Sequence, residues 1–125
     1  MQSEHNFLVD TPLQREVVKR ILRVRFPAAI VLFGSSARGD DHADSDLDLL
    51  IIERENPLPV HRRAAIYRMG LLGVDRDIDI VVYTPTEIEQ WASVPNAFIT
   101  TALREGKVLY EDGGGLGTRL PGQGR

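Results

Sequence analysis

Residues 33–52 read FGSSARGDDHADSDLDLLII. Aspartate is a poor strand former, yet Asp46 and Asp48 stand at the mouth of the most apolar run in the chain. Upstream, AAIVLF (28–33) is short, apolar and rich in branched residues, which predicts a buried strand broken by Gly34. SSARG then predicts one or two helical turns, and DDHAD a polar loop. DLDLLIIE (46–53) predicts a second strand. Side chains alternate along a strand, so Asp46 and Asp48 share one face, about 7 Å apart. Leu47, Leu49 and Ile51 share the other.

The pattern extends in both directions. Thr11-Pro12 reads as an N-cap and first turn, and Leu13, Val17, Ile21 and Val24 recur at helical spacing, predicting a helix over 12–25. VHRRAAIYRMGLLG (60–73) predicts a helix closed by Gly73. DIDIVVY (77–83) predicts a third strand, with Asp77 and Asp79 on one face and Ile78 and Ile80 on the other. Thr84 and Glu87 have capping-box spacing ahead of a helix over 85–92. NAFITTALREG (96–106) predicts a helix ending at Gly106, and KVLYE (107–111) a last strand. The order α-β-α-β-α-β-α-α-β predicts an α/β (α+β) domain over residues 1–111: a small mixed β-sheet with helices packed mainly on one face. Residues 112–125, DGGGLGTRLPGQGR, read as a disordered glycine-rich tail.

Composition bounds the function. A chain of 125 residues fits one domain. It has no cysteine, which excludes disulfides and thiolate-bound zinc. No run is long enough to span a membrane, and MQSEHNFLVD lacks the features of a signal peptide, so a cytoplasmic location is expected. A formal charge of −3 gives no general attraction to nucleic acid, and no direct binding to it is expected. LQREVVKRILRVR and HRRAAIYR are basic but helically spaced, and read as solvated helix faces. His5, His42 and His61 lack ligand spacing, and His42 reads as solvent-exposed. Trp91 and Phe98 read as helix packing, while Tyr67 and Tyr83 fit either packing or the border of a nucleotide. The later helices leave room for a homo- or hetero-oligomeric surface.

The carboxylates need an explanation. If the second and third strands are neighbours, three of them converge on an open side of the sheet. Two like charges about 5 Å apart repel by roughly 3 kcal/mol at an effective dielectric of 20, and no Lys or Arg lies within these strands to offset it. A hard divalent cation such as Mg²⁺ would, and it typically brings a substrate phosphate. The Gly-Ser turn suits that phosphate. Gly34 lets a ligand approach the main chain, Ser35 and Ser36 would open a short helix with free N–H groups, and Arg38 would add charge.

Taken together, GSSARGDDHADSDLDL resembles the signature of the polymerase-beta-like nucleotidyltransferase superfamily, and within it the single-domain minimal nucleotidyltransferases. The resemblance covers residues 12–111 and includes DIDIVVYT and ALREGKVLYE. It implies the polymerase-beta-like fold, with Gly34 and Ser35 holding the triphosphate of ATP. It implies that Asp46, Asp48 and Asp79 bind two Mg²⁺ ions and that Asp79 activates the attacking hydroxyl. Asp77 is the competing third carboxylate, and Arg38 matches no essential family position. Larger relatives carry acceptor-binding domains for which this chain has little room. The resemblance therefore implies a partner: a HEPN-domain ribonuclease toxin, to whose tyrosine the chain, as antitoxin, transfers AMP. A non-catalytic antitoxin and a transferase acting on a small molecule such as an aminoglycoside are the alternatives.

Overall fold

The computed structural model describes residues 6–7, 11–34, 46–94 and 98–112. Five helices and five strands follow along them: β1 (Asn6–Phe7), α1 (Pro12–Val24), β2 (Ala29–Phe33), β3 (Leu47–Ile52), α2 (Val60–Arg63), α3 (Ala65–Gly70), β4 (Ile78–Tyr83), α4 (Pro85–Trp91), α5 (Phe98–Glu105) and β5 (Lys107–Glu111). The strands form one mixed sheet in the order β1-β5-β2-β3-β4. Only β3 and β4 run parallel; the other pairs are antiparallel. This is the small mixed α/β sheet expected from the sequence.

Local chemistry sets the boundaries. Thr11 caps α1, its hydroxyl accepting from the Gln14 N–H at 3.1 Å, with Pro12 in the first turn. Thr84 and Glu87 form the reciprocal capping box that opens α4. Gly106 lets α5 turn straight into β5. A β-carbon there would strike the Ala102 carbonyl and come within 3.0 Å of the Leu32 carbonyl. The segment 60–73, expected as one helix, is two short ones. The backbone bends at Ala64 (φ −78, ψ −17), where Arg63 turns its guanidinium inward to the Val82 carbonyl and the Glu87 carboxylate. The two-residue β1 pairs with Glu111 and Tyr110, an element too short to leave a periodic signal.

Alternation along the strands builds two apolar layers. Ile30, Leu32, Leu47, Leu49, Ile51, Ile80 and Val82 point to the face covered by α1 and α3, through Val17, Val18, Ile21 and Tyr67. Ala29, Val31, Leu50 and Ile52 point to the other face, where Ile88 of α4 and Ile99 and Leu103 of α5 meet them. That second cover stops short. On the same face Asp46 and Asp79 are exposed and Asp48 half-buried. β3 thus runs from acid to apolar along one face, and the helices cover only the apolar part.

The opposite end of β3 is closed by buried polar groups. Glu53 receives Tyr67 Oη–H, Asn56 Nδ2 at 2.5 Å and Arg25 Nε at 3.1 Å. Burial and the neighbouring Glu53 carboxylate push the Tyr67 phenol well above its ordinary range. Arg63, expected on a solvated face, is buried and bonds the Leu58, Asn56 and Val82 carbonyls as well as Glu87. A planar group with five donors can stay charged inside only when so many acceptors surround it. No helix among the described residues is long and apolar enough to cross a membrane.

Candidate active site

The antiparallel pairing of β2 with β3 and the parallel pairing of β3 with β4 fix the site. The end of β2 and the beginnings of β3 and β4 fall at one end of the sheet. In register, Asp48 lies between Phe33 of β2 and Asp79 of β4. Asp46, two residues earlier, shares the Asp48 face. Asp77 precedes the first β3–β4 pair, Leu47 with Ile78, so it falls one step outside Asp79.

Asp48 is the electrostatic centre of this group. Its carboxyl is pushed above the ordinary carboxylate range, first by burial, then by the negative charges of Asp79 and Asp46, and last by a hydrogen bond with Asp79. Asp77 exerts no comparable effect on it. The register therefore places Asp79, not Asp77, beside Asp48.

Gly34 completes the corner. It follows β2 directly and takes φ +77, a left-handed conformation that glycine adopts freely. A β-carbon at this position would overlap the Asp48 carboxylate and lie 3.2 Å from its Cγ. The Asp48 carboxylate thus occupies the space that a side chain at position 34 would fill. Ser35, Ser36 and Arg38, expected to hold phosphate with Gly34, lie outside the described residues, as does His42.

The donor set fits a hard cation. It consists of carboxylate oxygens only, and their mutual repulsion, which helps raise the Asp48 carboxyl, is what a divalent ion would offset. Among the described residues no three acidic or histidine side chains already close around one point. Of the aromatic candidates, Tyr67 is fully buried against Glu53, far along β3 from Asp48, and is a packing residue. Trp91, expected in the core, is 42% exposed, since it ends α4 beyond the turn that Ile88 anchors. Tyr83 packs against the second apolar layer. His61 is exposed. Sequence reading overlooked Glu53 and Arg63 as buried network centres. Their one signal, a Glu closing an apolar strand, looks the same as a solvated strand end.

Three comparisons bear on this arrangement. The family model described as "Polymerase beta, Nucleotidyltransferase" matches residues 16–113. Among solved structures, a protein of Sulfolobus solfataricus described as a candidate nucleotidyltransferase shares 20% identity, with 82% of this chain and 81% of that chain covered and a TM-score of 0.58. A toxin–antitoxin structure with AMP-PNP shares 20% identity, with 78% of this chain and 73% of that chain covered and a TM-score of 0.52. At these identities both show a shared fold. No curated protein sequence matches the chain.

Proposed function

Because the chain belongs to the polymerase-beta nucleotidyltransferase family, we propose that it moves AMP from ATP to a hydroxyl of a partner protein and so acts as an antitoxin. The hydroxyl is that of a tyrosine, and the partner is a HEPN-domain ribonuclease toxin. The observation that carries this reading is the position of Asp48, held against Gly34 and flanked by Asp46 and Asp79. The neighbour whose structure is a toxin–antitoxin with AMP-PNP supports both the nucleotide and the partner.

In this reading Gly34, with Ser35, Ser36 and Arg38, holds the triphosphate by backbone N–H groups, hydroxyls and one guanidinium. Asp46, Asp48 and Asp79 would hold two Mg²⁺ ions, which would offset the charge of the triphosphate and of the transition state. Asp79 takes the proton of the attacking hydroxyl. The acceptor oxygen bonds to the α-phosphorus, the bond from that phosphorus to the bridging oxygen breaks, and pyrophosphate leaves.

The test is the intact mass of a HEPN-domain toxin offered as acceptor, after incubation with the chain, ATP and Mg²⁺. A gain of one or more AMP units is expected, absent with the Asp46→Ala/Asp48→Ala double variant. No gain from a pair that still forms a stable complex would replace this reading by an antitoxin that acts through binding alone.

A further inference from the structure

The carboxylates lie at the margin of the sheet, because β4 is an edge strand. Leu47 N–H donates to the Asp77 carbonyl at 2.9 Å and Glu53 N–H to the Tyr83 carbonyl at 3.0 Å. The odd-numbered residues of β4 therefore turn their backbone groups inward to β3, and those of Ile78, Ile80 and Val82 turn outward. At Val82 the outward carbonyl is occupied by Arg63 Nη1 at 3.2 Å. Among the described residues the outward N–H and C=O of Ile78 and Ile80 have no hydrogen-bond partner. One half of the edge is closed, and the open half is the half that bears Asp79.

Beside this open half, on the face of α1 and α3 and across the sheet edge from the carboxylates, lies a cleft of about 240 Å³. Leu71, Leu72, Ile78 and Ile80 supply its apolar wall, and Arg68, Arg76 and Asp77 also line it. Leu72 is 72% exposed, and Met69, three residues earlier in α3, carries the apolar surface outward at 71% exposed. The Leu72 carbonyl is tied to Arg20 Nη1 of α1 at 2.5 Å, which steadies this wall. In a chain of net charge −3, the exposed Arg68 guanidinium sets a cation at the mouth of this cleft, while Asp77 stands beside Arg76 in its lining. That combination suits carboxylates and apolar side chains together.

Direction of attack adds to this. In-line displacement puts the entering oxygen opposite the leaving pyrophosphate. With the triphosphate at Gly34, on the β2 side of Asp48, the acceptor enters from the β4 side. We propose that the open half of β4 and its cleft dock the acceptor protein. The acceptor presents an extended segment that adds as a strand against Ile78 and Ile80. The segment seats an apolar side chain in the cleft and pairs a carboxylate with Arg68. Main-chain bonds then supply affinity and the cleft supplies selectivity. This inference rests on the transferase reading above.

The probe is the HEPN-domain protein used as acceptor in the transfer assay above. Its addition is expected to slow hydrogen exchange at the Ile78 and Ile80 amides at least tenfold. Leu72→Glu and Arg68→Glu, both exposed and so compatible with folding, are expected to weaken that complex at least tenfold while AMP-PNP binding stays unchanged. Wild-type affinity and transfer in both variants, with unprotected Ile78 and Ile80 amides, would overturn the docking site and leave the transferase standing. Loss of AMP-PNP binding in the variants would assign the cleft to nucleotide and overturn it as well. A wild-type chain that neither binds AMP-PNP nor transfers AMP would instead remove the transferase reading, and this inference with it.

Discussion

At Gly34 the chain turns left-handed directly against the Asp48 carboxylate. Two costs fall on any side chain placed there: the backbone penalty, roughly 1–2 kcal/mol, and displacement of Asp48. Gly34→Ala is therefore expected to lower the melting temperature by several degrees. Pyrophosphate release from ATP should fall about 100-fold, since a small misplacement at a reacting centre costs that much. A variant that melts lower but keeps full activity would mean that Asp48 needs no fixed position. Asp77 and Asp79 are separated in the same way. Asp79→Asn is expected to lower transfer by at least 100-fold, the usual worth of a positioned base, and Asp77→Asn by less than tenfold. Equal losses would contradict the register argument. Alternation alone put Asp77 and Asp79 on one face; only strand pairing put Asp79 across from Asp48.

Among the elements, the joint between α2, β4 and α4 hangs on Arg63. Its guanidinium holds the Glu87 carboxyl down at about 2, helped by the Thr84 N–H, against the desolvation that acts the other way. A carboxyl depressed from 4.5 in the folded state stabilises the fold above the unfolded value. That stabilisation drains away as pH falls from about 4.5 toward 2. It is worth on the order of 2 kcal/mol at neutral pH, Glu87 being partly exposed. Urea midpoints at pH 7, 4 and 3 should fall more steeply for the wild type than for Glu87→Gln. Parallel curves would show that the ion pair contributes nothing to acid stability. The capping box of α4 was legible in the spacing of Thr84 and Glu87. The ion pair was not, because 24 residues separate its partners.

On the scale of the whole molecule, the sheet is well braced at one end and open at the other. Glu53, Tyr67 and Arg63 tie the strand ends far from Asp48, while Asp46 and Asp79 stand exposed. Such an open acidic end is unfavourable until filled, so ligands that fill it stabilise the fold by mass action. Mg²⁺ with AMP-PNP at about 100 times the dissociation constant should add about 2.7 kcal/mol, seen as a higher melting temperature. Chelation with EDTA should reverse the rise, and Asp48→Asn should abolish it. A rise that survives both treatments would locate nucleotide binding elsewhere.

The fold class, the strand carrying Asp48, and the Thr11 and Thr84 N-caps were determined by the sequence itself, because side-chain periodicity and capping act over a few residues. The polymerase-beta resemblance likewise rests on local runs, GSSARGDDHADSDLDL with DIDIVVYT and ALREGKVLYE. Tertiary structure alone decided which carboxylate faces Asp48, where the edge strand stays open, and which basic residue goes inside. Arg63 and Arg68 look alike in HRRAAIYR, yet one is buried and the other exposed. The difference comes from what each helix face meets: carbonyls and Glu87 for Arg63, the mouth of the cleft for Arg68. Long-range neighbours set those energies, and a one-dimensional pattern carries no record of them.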